Sequence, residues 1–279
     1  MLIITITEMA NERSATHRMI DLHCHILPGL DDGPKQGAES MAMCHQAITD
    51  GRTDIIATPH FFDGVHDCSL TRRDSHIRRI NASLRQCGFK LVIHPGAEVR
   101  LVPGLDDDKH ALRQMCLNQS RYMLVELPLV FPASLADELF RLQLRGIVPI
   151  LAHPERYPCI QNNPDMLDQM VAKGILTQIT GQSLLGDFGE DCQRCAERMI
   201  HDRTAHFVAS DGHSTTSRPP LLSKARERVA QLAGVNEARA MFEERPMAVI
   251  RNEPLELSFP LLTTGRCISN LFTRLATML

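Results

Sequence analysis

Seven short apolar runs rich in β-branched residues recur along this chain, and a segment of helical period follows each of them. The runs are Met19–His23, Asp54–Thr58, Leu91–Ala97, Tyr122–Glu126, Ile147–Ala152, Leu176–Thr180 and Ala205–Ser210. The helical stretches are Gln36–Asp50, Thr71–Cys87, Lys109–Asn118, Ser134–Arg145, Pro164–Lys173 and Glu190–Asp202, with two more at Leu221–Ala233 and Asn236–Glu244. Gly51, Gly88, Gly146 and Gly174 stand where helices stop. Asn163-Pro164 offers a cap followed by proline at the first helical position. This alternation predicts an α/β fold with parallel strands. No charge run or Pro/Ser-rich linker divides it, so one domain is expected. Alternation alone fits an open doubly wound sheet as well as a closed barrel.

The polar residues favour the barrel. The first run leads into D-L-H-C-H, with His23 and His25 two apart and therefore on one side of an extended strand. The turn Asp31-Asp32-Gly33 follows and can return a carboxylate over the strand end, Asp31 competing with Asp32 for that place. At or just past the ends of later runs stand His60, Glu98, Glu126, His153 (with Arg156 just beyond) and the pair Asp211 and His213; the sixth ends in hydroxyls and an amide. A carboxylate at a buried strand end is costly unless it is paired or bound to a cation. A closed (β/α) barrel gathers its strand C-termini around one mouth, whereas an open sheet spreads them along a line. Imidazoles and carboxylates suit zinc, manganese, iron or cobalt. So many donors exceed the needs of one ion, and two or three ions bridged by carboxylates such as Glu98 are expected.

Other candidates are weaker. His94, inside the third run, reads as a satisfied core histidine, and Cys24 should face away from the two histidines. His17, His45, His66, His76, His110, His201 and His206 read as solvent-facing, as do Arg72, Arg73, Arg78 and Arg79 on one helix. Cys192-x-x-Cys195 lies in a helical pattern with no second pair, a weak redox or zinc signal.

The chain has 279 residues, 43% of them hydrophobic, which is enough for a sizeable core. A net charge of −3, no Trp and only two Tyr give no nucleic-acid surface or base-stacking platform. Nine scattered cysteines are an odd number, and most sit where Cys acts as a small apolar residue. With no signal-peptide pattern and no membrane-length apolar run, a reducing cytoplasm is expected. Residues 1–18 read as an extension, and Met19 as an alternative start. From Ile268, Leu271, Phe272, Leu275 and Met278 recur at helical spacing. That amphipathic helix is expected to pack on the barrel or a second subunit, with peripheral membrane contact the minority alternative.

The stretches D-L-H-C-H-I-L-P-G-L-D-D-G-P, I-I-A-T-P-H, P-G-A-E-V, V-E-L-P, I-L-A-H-P-E-R-Y, Q-S-L-L-G and F-V-A-S-D-G-H resemble the PHP (polymerase and histidinol phosphatase) superfamily. Within it the chain looks most similar to the bacterial manganese-dependent tyrosine-protein phosphatases of capsule and exopolysaccharide gene clusters. The resemblance implies a distorted (β/α)7 TIM-like barrel over residues 19–252, with 253–279 a C-terminal extension. It implies two or three divalent ions, manganese foremost. His23, His25, Glu98 and Asp211 would bind one ion, and His60, Asp32 and His213 would help to hold another. Glu98, Glu126 and His153 would complete the cluster. Arg156, helped by Arg218, would hold the substrate phosphate, with Asp211 and His213 also part of the catalytic set. The implied substrate is the phosphotyrosine tail of a bacterial tyrosine autokinase that controls polysaccharide synthesis. A histidinol-phosphate-type small-molecule phosphatase and a PHP phosphodiesterase or nuclease are the alternatives. S-D-G-H-S and T-G-Q-S depart from the usual pattern while leaving the ligands intact. A cysteine-nucleophile mechanism would need Cys68 and Arg73, but the residues between them form no glycine-rich anion loop.

Overall fold

The computed structural model describes residues 18–105, 109–128, 135–255 and 257. The expected helix from Ile268, most of the N-terminal extension and His17 lie outside the described residues. In chain order the elements begin β1 (Met19–Cys24), α1 (Gly37–Thr49), β2 (Arg52–Ala57), β3 (His60–Phe61), α2 (Leu70–Gln86), β4 (Val92–Pro95) and β5 (Glu98–Arg100). They continue α3 (Lys109–Met115), β6 (Tyr122–Glu126), α4 (Leu135–Leu144), β7 (Val148–Ala152), α5 (Pro158–Asn162), α6 (Pro164–Ala172), β8 (Leu176–Thr180), α7 (Gly181–Leu185) and α8 (Glu190–His201). Last come β9 (Phe207–Ala209), α9 (Ser223–Ala233), α10 (Val235–Arg239), a π-helical turn at Ala240–Glu244 and α11 (Arg245–Ile250).

Among the described residues all strand pairs are parallel, in two sheets of order β1-β2-β4 and β3-β5-β6-β7-β8-β9. The architecture is α/β with parallel sheets. Where one closed seven-stranded ladder is expected, the second and third predicted strands each give way, after a break at their ends, to a short further strand, β3 and β5. The second breaks at Thr58-Pro59: proline has no N–H to donate, and Thr58 N–H turns to Cys24 O at 3.0 Å. The third breaks at Gly96-Ala97, where a Cβ on Gly96 would lie 2.5 Å from Ile56 Cγ2. Behind this break the buried Arg73 guanidinium donates to Gly96 O (3.1 Å) and Gln114 O (2.8 Å). Arg73 is thus a structural strut, and the solvated-face expectation fails for it because unpaired backbone carbonyls need donors.

The two sheets meet where β1 ends. Cys24 bridges to Gly212, His25 N–H donates to Gly212 O and Asp211 N–H to His23 O, both at 2.8 Å. Asp21, fully buried in β1, accepts from Ser210 N–H at 3.0 Å and Ser210 Oγ at 2.5 Å. Ile20, Leu22 and Ile56 of one sheet pack with Leu124, Ile150, Leu176 and Phe207 of the other in a shared core that Val249 of α11 joins. Each such side chain, fully buried, contributes about 1.5–3 kcal/mol. A larger apolar layer lies between the six-stranded sheet and its helices, and a smaller one between β1, β2, β4 and helices α1 and α2. No helix among the described residues is long and apolar enough to cross a membrane.

Candidate metal centre

The strand ends bring the predicted donors to one place. His23 and His25 turn to the same side, with their Nε2 atoms 3.1 Å apart, and Cys24 points into the apolar layer behind them. Glu98, at the start of β5, sets Oε2 at 3.3 Å from His23 Nε2, 3.2 Å from His25 Nε2 and 3.1 Å from His60 Nδ1. Its Oε1 lies 2.9 Å from His153 Nε2. Asp211 Oδ1 is 3.3 Å from His23 Nε2 and 3.6 Å from His25 Nε2. Asp32 Oδ1 lies 3.1 Å from His213 Nε2 and 3.6 Å from His60 Nε2. Among the described residues three donor groups result, each with its atoms within 4.8 Å of one another: His25, Asp32, His60 and His213; His23, His25 and Glu98; Glu98, Glu126 and His153.

Hydrogen bonds on the far ring nitrogens decide what these imidazoles present. His25 Nδ1 donates to Asp31 Oδ2, His23 Nδ1 to Gln178 Oε1 and His213 Nδ1 to the backbone O of Asp211, each at 2.8 Å. Gln178 keeps Oε1 toward His23 because its Nε2 donates to Ile179 O at 2.8 Å. Acceptors on Nδ1 select the tautomer with a bare Nε2, the form that binds a metal. The competition between Asp31 and Asp32 resolves into two roles, with Asp31 orienting His25 and Asp32 facing the centre.

The geometry fits cations. Two bare Nε2 lone pairs face each other across 3.1 Å. Glu98 Oε2 is buried among three imidazole nitrogens, yet none reaches it with hydrogen-bond geometry. A divalent ion satisfies such converging lone pairs, and the mixed nitrogen and oxygen donors suit a first-row transition metal. The local field agrees. Burial disfavours a charged imidazole at His23, but Glu98 and Asp211 outweigh it and raise its pKa. At Asp211 burial is likewise outweighed, and His23, Arg218, His153 and His213 hold the carboxyl well below the usual range.

Backbone strain marks two of these positions. His153 (φ 35°) and Asp211 (φ 51°) lie in the left-handed region, which costs a non-glycine residue about 1–2 kcal/mol. Pro154 disfavours the right-handed helical region for His153, and Asp211 is held by the β1 junction. Beside them Arg156 Nη1 donates to Asp211 Oδ2 at 2.6 Å, and Arg218 Nη2 donates to the same oxygen. Arg218 Nε is buried without a hydrogen-bond partner.

Several neighbours carry no strand-end signal. Arg100 Nη2 grips Glu126 Oε2 at 2.9 Å. Glu155 is fully buried and accepts from Thr180 N–H at 2.9 Å and Ser183 Oγ at 2.6 Å, tying the loop after β7 to α7. The only sequence cue to it is its place between His153 and Arg156. Expected solvent-facing, His66 is instead part-buried, stacked on His60 with ring centroids 5.8 Å apart and its Nδ1 2.6 Å from Asp63. His206 is buried, where its Nδ1 accepts from Thr177 N–H at 3.1 Å. His94 is satisfied, as expected, by Asp54 at 2.8 Å. Burial pushes the Cys68 thiol up to about 12, which with Arg73 committed to backbone removes the cysteine-nucleophile alternative.

Known proteins share this arrangement of chain. Tyrosine-protein phosphatase YwqE of Bacillus subtilis is 35% identical over 238 residues, which span 85% of this chain and 93% of that protein. Tyrosine-protein phosphatase CpsB of Streptococcus pneumoniae is 28% identical over 241 residues, 84% of this chain and 99% of that one. A chain from the crystal structures of YwqE and CpsB, described as unique metal-dependent tyrosine phosphatases, superposes with a TM-score of 0.81 at 35% identity. The match covers 87% of this chain and 98% of the solved one. Residues 19–251 match the family described as Capsular polysaccharide synthesis, CpsB/CapC, and it is to this family that the chain belongs.

Proposed function

We propose that this chain is a metal-dependent protein-tyrosine phosphatase. One observation carries the reading: the bare Nε2 atoms of His23, His25 and His213 face Glu98, Asp211 and Asp32, with two arginines beside them on Asp211. Relatives named as tyrosine-protein phosphatases over most of the chain support the substrate class. His23, His25, Asp32, His60, Glu98, Glu126, His153, Asp211 and His213 would hold two or three divalent ions, manganese ahead of iron, zinc or cobalt. Such ions supply Lewis-acid charge to the phosphoryl group and bring the ionisation of water toward neutral pH.

The side chains do the rest. Arg156 uses one Nη on Asp211, which leaves further N–H groups for phosphoryl oxygens, and Arg218 adds its unpartnered Nε. Asp211 Oδ2 fixes both guanidinium groups, and its backbone oxygen sets the His213 ring. Pre-set donors of this kind stabilise the charge that grows on a transferring phosphoryl group.

The natural substrate on this reading is the phosphotyrosine tail of a bacterial tyrosine autokinase, supported by the family's place in capsular polysaccharide synthesis. We take residues 19–252 as the phosphatase unit, which the family match over 19–251 supports, and the cytoplasm as its compartment. We also read the two sheets as one distorted seven-stranded (β/α) barrel, supported by the Cys24–Gly212 bridge and the core shared between them. Turnover of a phosphotyrosine peptide should stop on chelation, return with Mn²⁺ and survive thiol alkylation. Activity that survives full chelation, or equal or better rates on histidinol phosphate or oligonucleotides, would overturn the assignment.

A further inference from the structure

Phe188 sits half-buried on the turn Gly186-Asp187-Phe188-Gly189, beside the two arginines. Its ring centroid is 4.6 Å from Arg156 Cζ and 6.0 Å from Arg218 Cζ. The turn is rigid. Gly186 (φ 87°) and Gly189 (φ 90°) take left-handed backbone, Gly189 N–H donates to Gly186 O at 3.0 Å, and Asp187 N–H donates to Gln182 O at 3.1 Å. Gln182 Nε2 donates in turn to Ser217 O at 3.2 Å, which ties the turn to the residue before Arg218. The ring thus lies against the Arg156 guanidinium, with that of Arg218 at the edge of reach.

Phe188 lies beside the arginine N–H groups that Asp211 leaves free, so an ester group of a phosphate held there would have this ring as a neighbour if it points toward the turn. A flat aryl group there can lie against Phe188, whereas a flexible alkyl group gains little, since offset and edge-to-face ring contacts favour aromatic partners. We propose that Phe188 sets the preference of this site for aryl over alkyl phosphate esters, by contact with the ring of the phosphorylated residue. This inference rests on the phosphatase reading above and names the side chain behind its preference for phosphotyrosine over phosphoserine.

The test compares wild type, Phe188→Met and Phe188→Tyr, as metal-loaded full-length chains. Two ratios are measured: kcat/KM on a phosphotyrosine against a phosphoserine peptide, and calorimetric affinity for phenylphosphonate against methylphosphonate. Phe188→Met should cut both aryl-to-alkyl ratios about tenfold, the size of one aromatic pair, with the kinetic loss falling on KM. Phe188→Tyr, which keeps the ring, should restore them. Equal loss on aryl and alkyl ligands would mean that Phe188 only seats the arginines, and it would overturn the proposal. Unchanged ratios, or a wild type that binds neither phosphonate, would overturn it too. A wild type that favours phenylphosphonate yet does not hydrolyse phosphotyrosine would instead count against the phosphatase reading.

Discussion

His25 Nδ1–H donates a hydrogen bond to Asp31 Oδ2 at 2.8 Å, and this bond leaves Nε2 bare toward Glu98. Asp31 also accepts from Gly33 N–H at 3.0 Å, so its carboxylate is braced by its own turn. Asp31→Asn offers an amide that can present N–H to the ring and disturb the tautomer. Metal affinity measured by competition with a chelating dye should fall about 10–100-fold, the usual effect of losing an outer partner of a ligand histidine. An unchanged affinity would show that the tautomer is set elsewhere.

Arg156 and Arg218 share Asp211 Oδ2, so their contributions should not be independent. Replacing either with Met should lower kcat/KM by about 10²–10³-fold, as loss of one pre-set donor does. The double variant should lose less than the product of the two, because neighbours on one buried group couple. A full multiplicative loss would place the arginines on separate tasks.

Glu155 holds the segment between His153 and Arg156 against α7. Removing it in Glu155→Ala strands the Thr180 N–H and the Ser183 hydroxyl in a dry interior. Denaturant unfolding should show a loss of about 2–4 kcal/mol, because buried unpaired donors are costly. Glu155→Gln, which keeps an acceptor oxygen, should lose much less.

The site is unevenly legible in the sequence, for physical reasons. His23, Glu98, His153 and Asp211 were legible because a polar residue ending an apolar run is costly without a partner. Strand-end placement carries no information about what lies behind a ligand. Gln178 and Glu155 therefore carry no sequence signal of their own, and the contact of Asp31 with His25 is what separates its role from that of Asp32. The breaks at Thr58-Pro59 and Gly96-Ala97 depend on which strand lies opposite, a tertiary matter. Arg73 and His206 misled because a polar residue on a helix or at a strand start usually faces water. Here each is buried to satisfy backbone groups: Arg73 two carbonyls, His206 the N–H of Thr177.

His206 should also shape the acid response of the fold. Burial, with the nearby Arg245 charge, lowers its pKa from 6.5 to about 3. Between those values the unfolded chain binds a proton that the folded chain refuses. The contribution is complete above about pH 6.5 and lost as pH falls, at up to about 1.4 kcal/mol per pH unit. His206→Asn keeps an acceptor without a basic nitrogen, so its stability should fall less steeply than that of wild type between pH 6 and 4. Parallel slopes in urea titrations would exclude His206 as a source of acid sensitivity.

The donors come from both sheets. His23 and His25 belong to the three-stranded side, while His60, Glu98, Glu126, His153 and Asp211 belong to the six-stranded side. The junction at Cys24 and Gly212, with the Asp21–Ser210 hydrogen bonds and the shared core, keeps the two halves in step. A slip of a single residue along it would swing both imidazoles behind β1, because strand side chains alternate. Hydrolysis therefore doubles as a gauge of sheet alignment, and it should vanish in variants whose helices remain intact.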